Sequence, residues 1–178
     1  TNINTAIDGN NKTLVSDGST RSTSMTFAFT GNDVGTSGEN GVGVKQFECK
    51  VDNSNYSVCT SPAHYDNMTD GNHTLAVISE DKVGNVGSTP SLFNWTVDTK
   101  PPSASIYSAT DGNSKFLLPG SNTSSNSISF EFSANDSGGR EDKGVGIKQF
   151  ECSLDDSNFT TCRSQVEYAS DNLDDGNH

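Results

Sequence analysis

Four cysteines, three histidines and 23 acidic side chains are the places where chemistry could sit in this 178-residue sequence. The cysteines fall into two pairs, Cys49/Cys59 and Cys152/Cys162, with the same spacing. Between Cys49 and Cys59 runs Asp52-Asn53-Ser54-Asn55, a set of short polar side chains that bond their own backbone in tight turns. A hairpin there brings the partners close enough for a disulfide. Four cysteines allow three pairings, and the internal repeat described below selects Cys49 with Cys59 and Cys152 with Cys162. Closing a loop of about ten residues stabilises by about 2.5–3 kcal/mol in the chain-entropy model. Such bridges imply an oxidising, extracellular setting. The rival chemistry, zinc, finds no Cys-x-x-Cys spacing, and His64 and His178 do not occupy equivalent positions.

Acid–base or nucleophilic catalysis needs a base within hydrogen-bond reach of a nucleophile. His73 and His178 are repeat equivalents at a strand start, which points to a structural role. His64 has no counterpart, because the matching position is Glu167. With no unique polar cluster, the sequence is read as that of a non-enzyme. Calcium is the better site hypothesis, since hard cations take several oxygen ligands. The candidates are Asp98 at the domain junction, Asp81 before a Gly-Asn turn, and the equivalents Asp33 and Asp136, with Glu39 and Asp142 nearby. Loops at one end of a sandwich cluster in space, so an ion there would stiffen an array. The competing reading is that these are turn formers without metal, for no EF-hand-like or Asp-x-Asp spacing is present.

Asn-x-Ser/Thr occurs at Asn11, Asn55, Asn67, Asn72, Asn94, Asn122, Asn135 and Asn158. In a chain this rich in Asn, Ser and Thr, chance alone supplies about five such sites. Asn55 and Asn158 are equivalents on the hairpin tip and are the best candidates for glycosylation.

The elements that position these residues follow from a repeat. Val42-Gly43-Val44-Lys45-Gln46-Phe47-Glu48-Cys49 returns as Val145-Gly146-Ile147-Lys148-Gln149-Phe150-Glu151-Cys152. The same offset carries Asp8-Gly9-Asn10 onto Asp111-Gly112-Asn113, Phe27 and Phe29 onto Phe130 and Phe132, and Tyr65 onto Tyr168. After a two-residue insertion, Asp70-Gly71-Asn72-His73 reappears as Asp175-Gly176-Asn177-His178. A period near 100 residues is the size of one sandwich domain, not of a solenoid unit. Within it, 24–31 alternates Met25, Phe27 and Phe29 with polar or small residues, as a half-buried strand does. The stretch 127–134 repeats that pattern. Phe47, Cys49 and Val51 alternate over 45–52, and 56–59 is a short return strand. Leu75 and Val77 point inward over 73–81, with Thr74 and Ala76 outward. Phe93, Trp95 and Val97 alternate over 91–98. No stretch of ten residues has a helical apolar face. The expectation is therefore all-β: tandem immunoglobulin-like sandwiches, 1–98 and 103–178, joined by a stiff Pro-rich linker at 99–102. The second copy lacks the last two strands of the first. Either this is a window on a longer chain, the preferred reading, or another chain donates strands. Thr1 is not read as a natural start.

The strings Phe47-Glu48-Cys49, Cys59-Thr60-Ser61-Pro62, Gly71-Asn72-His73-Thr74, Asp81-Lys82-Val83-Gly84-Asn85 and Trp95-Thr96-Val97-Asp98 follow one another in the first repeat. As an ordered set they resemble the Ig-like, fibronectin type III-like tandem repeats of large prokaryotic surface and secreted proteins. The second repeat departs from the pattern with Cys162-Arg163-Ser164-Gln165 in place of Ser-Pro. The resemblance implies a spacer, stalk or adhesive element and carries no catalytic residue.

Composition agrees with that class. The net charge of −12 and pI of about 4.4 repel phosphate backbones, which argues against nucleic acid. No run approaches the length of a membrane span. The expected function is a structural or adhesive repeat of an extracellular surface protein or filament, with neighbouring repeats or identical subunits of a fibre as partners. The alternative is a spacer or accessory module of a large secreted enzyme. A carbohydrate-binding module is the weakest reading, because the equivalents Tyr56 and Phe159 are solitary aromatics.

Overall fold

The computed structural model describes residues 1–34, 41–136, 145–169 and 173–178. Its described regular structure is all β-strand. The chain divides into two compact units, the first taking Thr1–Lys100 and the second beginning at Pro101.

The first unit contains β1 (Asn2–Asp8), β2 (Thr13–Leu14), β3 (Gly18–Thr20), β4 (Met25–Thr30), β5 (Val44–Val51), β6 (Ser57–Cys59), β7 (Ala63–Tyr65), β8 (Gly71–Asp81) and β9 (Ser91–Val97). One sheet has the order β2-β1-β4-β7 and the other β3-β9-β8-β5-β6. All pairings are antiparallel except β3 with β9. The inner faces of both sheets supply one core. Ala6, Leu14, Met25, Phe27 and Phe29 come from the first sheet and its edge. Cys49, Leu75, Val77, Phe93, Trp95 and Val97 come from the second. Two layers of strands around a shared apolar interior make a β-sandwich. The period-two pattern is what produces it: on β4 and β9 every second residue is buried, and Asn94 between Phe93 and Trp95 is exposed. Burying a side chain the size of Phe27 or Trp95, both at or below 1% exposure, contributes on the order of 2–3 kcal/mol.

β8 departs from the expected alternation. Leu75 and Val77 are buried as anticipated, but Ala76 and Ile78 are buried too. β8 is an inner strand, and Ala76 sits in register between Lys50 on β5 and Leu92 on β9. A methyl group flanked by two longer cross-strand side chains is covered by them.

The second unit contains β10 (Ser103–Asp111), β11 (Ile128–Asn135), β12 (Phe150–Cys152), β13 (Thr160–Cys162) and β14 (Val166–Tyr168). Its sheets are β10-β11-β14 and β12-β13. The duplication extends to register. Met25 faces Tyr65 and Ile128 faces Tyr168; Phe47 faces Cys59 and Phe150 faces Cys162. Even the irregularity in the first strand recurs, between Ile3 and Thr5 and between Ile106 and Ser108.

Candidate functional site

Three hairpin turns among the described residues are each built around an aspartate. In Asp8-Gly9-Asn10-Asn11-Lys12, Asp8 Oδ1 accepts the backbone N–H groups of Asn10 and Lys12, both at 2.9 Å. Asp8 Oδ2 accepts the Thr20 hydroxyl. Asp111 repeats the set with Asn113, Lys115 and Thr123. Asp81 builds the same turn with the N–H groups of Val83 and Asn85 and the Asn85 side-chain amide, at 2.8–2.9 Å. In all three the fourth residue takes a left-handed conformation: Asn11 at φ 61°, Gly84 at 97° and Ser114 at 64°. This is the geometry of a turn closed by a left-handed residue, which favours Gly and Asn. The glycine of Asp-Gly-Asn has a separate reason. A Cβ on Gly9 would collide with the Ser22 and Ser24 hydroxyls, and one on Gly112 with those of Ser125 and Ser127.

These bonds set the electrostatics. Burial alone would raise the Asp8 carboxyl, but the Thr20 hydroxyl and the Lys12 and Asn10 amides overcome it and hold the pKa below the usual 3.8. The Thr123 hydroxyl and the Lys115 amide lower Asp111, and the Asn85 amide lowers Asp81. Hydrogen bonds to the ionised form are the cause in each case.

The described calcium candidates each accept backbone N–H groups. Asp81 is committed to its turn. Asp33 Oδ2 accepts the Gly43 N–H at 3.0 Å, and Asp136 Oδ2 accepts that of its repeat equivalent, Gly146, at 2.6 Å. Buried Asp98 accepts the Lys100 N–H at 3.1 Å. Glu39 and Asp142 lie outside the described residues. Among the described residues no three His, Cys, Asp or Glu side chains converge as metal ligands do. The carboxylate at the end of the first unit that the sequence did not single out is Asp70. Its Oδ1 accepts both the N–H and the hydroxyl of Thr99, at 2.9 and 2.8 Å, and Lys100 Nζ lies 3.4 Å from Oδ2. Thr99 holds Asp70 below its ordinary pKa.

The disulfides close as Cys49–Cys59 and Cys152–Cys162, each with a Cα–Cα distance of 5.8 Å. They fit an oxidising environment. The serine that follows each pair has a task of its own: Ser61 Oγ accepts the Phe29 N–H at 2.8 Å and Ser164 Oγ that of Phe132 at 3.0 Å. This explains why Ser164 persists where the neighbouring Pro does not. His73 is buried, with Nδ1 2.8 Å from Asp52 Oδ2 and Nε2 2.7 Å from the Thr69 carbonyl. His178 repeats this with Asp155 and the Asp174 carbonyl, both at 2.7 Å; these acceptors raise its pKa. Exposed His64 is flanked by the Thr26 hydroxyl and Asp66.

All eight sequon asparagines are exposed. Asn55 and Asn158 lie in the segments linking β5 to β6 and β12 to β13. Asn72 and Asn94 behave differently, because they interlock across β8 and β9. The Thr96 hydroxyl donates to Asn72 Oδ1 at 2.8 Å, and the Thr74 hydroxyl donates to Asn94 Oδ1 at 3.0 Å. Each Thr is the third residue of the sequon on its own strand and bonds the sequon asparagine of the other strand. These four residues, with Asp17, line a shallow groove of about 460 Å³ whose polar groups largely satisfy one another. Tyr56 lies beneath Lys50 Nζ at 5.2 Å, and its equivalent Phe159 is well exposed.

No protein-family model, no curated protein and no solved structure matches this chain. Among the described residues no helix is long and apolar enough to cross a membrane.

Proposed function

We propose that this chain is a stretch of an extracellular repeat array, built from immunoglobulin-like sandwiches that act as structural or adhesive spacers. The observation that carries the reading is the duplication itself. Two units repeat the same aspartate turn, the same disulfide hairpin, the same serine-capped strand and the same strand irregularity. Every polar group so repeated is spent on holding backbone in place, which is what a spacer requires. The strand order of the first unit supports the Ig-like assignment. Its β1, β4 and β7 form one sheet, and β9, β8, β5 and β6 form the other, with β3 crossing over to join β9 in parallel. With β2 added at the edge of the first sheet, this grouping resembles the partition of an immunoglobulin sandwich and supports the reading. Two departures stand beside it: the disulfide links β5 to β6 within one sheet, and the core tryptophan is on the last strand. The acidic surface and the disulfides suit an exposed, secreted location.

Antibodies raised against the chain test the reading on the source cells. Immunogold labelling of filaments or of the cell envelope, with no free thiol on the labelled protein, is expected. Label confined to the soluble interior of the cell, on a protein with titratable thiols, refutes it. Label on a released enzyme favours the accessory-module alternative instead.

A further inference from the structure

The two units carry matching segments as far as His73 and His178, yet their structures differ at three places. Gly18–Thr20 is a strand in the first unit, whereas Ser121, Asn122 and Thr123 form none in the second. β5 runs for eight residues, and its counterpart β12 for three. Met25 and Phe27 are fully buried, whereas their equivalents Ile128 and Phe130 are half-buried. Each loss falls where the first unit contacts β8 or β9. β3 pairs with β9 through Gly18–Trp95, Ser19–Thr96 and Thr20–Val97. β5 pairs with β8 over its whole length. Phe27 packs its ring on Phe93 at 5.4 Å and Trp95 at 5.2 Å.

What remains in the second unit keeps the geometry of a half-core. Phe130 holds Tyr168 at 6.3 Å as Phe27 holds Tyr65 at 6.1 Å. Phe132 holds Phe150 at 4.9 Å as Phe29 holds Phe47 at 5.1 Å. Polar groups match as well. In the first unit Asp52 fixes His73 through Oδ2 and accepts the N–H of the next residue, Thr74, through Oδ1 at 2.8 Å. Asp155 fixes His178 in the same way. Lys45 and Gln46 both reach Glu80 on β8, and their equivalents are Lys148 and Gln149.

We propose that the second unit is a strand acceptor whose occupant is a β8–β9-type strand pair. One strand, of the Thr-Leu-Ala-Val type ending in an acidic residue, pairs antiparallel with β12 so that Cys152 faces the Val77 position. Lys148 and Gln149 meet the side-chain carboxylate of the acidic residue at the Glu80 position. The other, of the Phe-x-Trp-x-Val type, runs parallel to 121–123 with Ser121 facing the Trp95 position, and covers Phe130. Strand edges unpaired among the described residues and a half-buried apolar face are the two things that strand addition satisfies together. The inference rests on the comparison of the two units and not on the spacer reading.

The test adds a synthetic peptide, residues 71–98, to the intact chain and follows backbone hydrogen exchange. A second arm places residues 74–98 directly after His178, reproducing the His73–Thr74 junction. Amides of residues 121–123 and 147–154 are expected to slow by about tenfold or more in at least one arm. A peptide or fusion carrying Phe93→Ser and Trp95→Ser leaves them fast, and Glu80→Lys weakens peptide binding or lowers the protection by about threefold or more. The proposal is overturned if neither arm slows these amides, with peptide raised to about 1 mM. It is equally overturned if the serine version protects as well, or if the chain alone dimerises and already protects them.

Discussion

Removing one aromatic ring from each copy of the Phe-x-Phe strand should produce unequal effects. Phe27 is fully buried and touches Tyr65, Phe93 and Trp95. Phe130 is half-buried and pairs with Tyr168. Truncating a fully buried Phe costs about 3–5 kcal/mol through lost transfer energy and the cavity left behind, part of it the aromatic pairs at about 0.5–1.5 kcal/mol each. For Phe130 the side chain is already partly in water, so about 1–2 kcal/mol is expected. Trp95, the single tryptophan, is 1% exposed in the first core, so its fluorescence reads that unit alone. With a urea slope of about 1.5 kcal/mol per molar, Phe27→Ala moves the Trp95 midpoint down by about 2–3 M, or unfolds the unit at once. Phe130→Ala leaves that midpoint unmoved and accelerates exchange of the β11 amides modestly. An equal cost for the two substitutions would mean that the second core is as closed as the first, and the comparison between units would fail.

Cys49→Ala with Cys59→Ala should lower the stability of the first unit by about 2.5–3 kcal/mol, read from the same fluorescence curve; no change would mean that the hairpin is already closed by its pairing. The carboxyls of Asp8, Asp81 and Asp111 are held below 3.8 in the folded chain. Their contribution is therefore complete above that pH and is lost as pH falls through the lowered folded values. Melting temperature should drop on acidification below about pH 4, and Asp8→Asn should flatten that drop; an unchanged acid limb refutes the assignment. Gly84→Ala places a Cβ at φ 97° and should cost about 1–2 kcal/mol, whereas Ser114→Gly at φ 64° should be neutral or stabilising by up to about 1 kcal/mol. In a glycosylating host, peptide mapping should find sugar on Asn55 or Asn158 ahead of Asn72 and Asn94, whose sequons lock one another across β8 and β9; the reverse order would sever exposure from modification.

How far the sequence could be read depended on which force shapes each element. β4, β5, β9 and β11 carry alternation strong enough to be placed within a residue or two. The aspartate turns were visible as Asp-Gly-Asn and Asp-x-x-Gly-Asn strings, although their common construction was not, because Asn11 and Ser114 stand where Gly84 alone announces a left-handed residue. β3 was invisible: Gly-Ser-Thr has no strand pattern, and it becomes a strand only through its parallel pairing with β9. β8 was half-read, since its polar-looking face is covered by neighbours in register rather than by its own side chains. Asp33, Asp81, Asp98 and Asp136, chosen from the sequence as calcium candidates, each accept backbone N–H groups of their own loops. Counting acidic residues in loops cannot tell a ligand from a turn.

The chain contains its own control experiment on what makes a strand. Val44-Lys45-Gln46-Phe47-Glu48-Cys49-Lys50-Val51 and Ile147-Lys148-Gln149-Phe150-Glu151-Cys152-Ser153-Leu154 have the same alternation and nearly the same residues. Each is tied to its return strand by the same disulfide, with Phe facing the second Cys. The first is paired on both sides and is extended over its full length; the second is paired on one side and is a strand only where β13 reaches it. Local propensity is therefore a constant in the comparison, and the difference belongs to the neighbour. Strand propensity measures how well a residue fits a paired, half-buried surface, and here the pairing is what varies. In the first unit β8 and β9 supply that neighbour: together they close the core, pair β3 and extend β5.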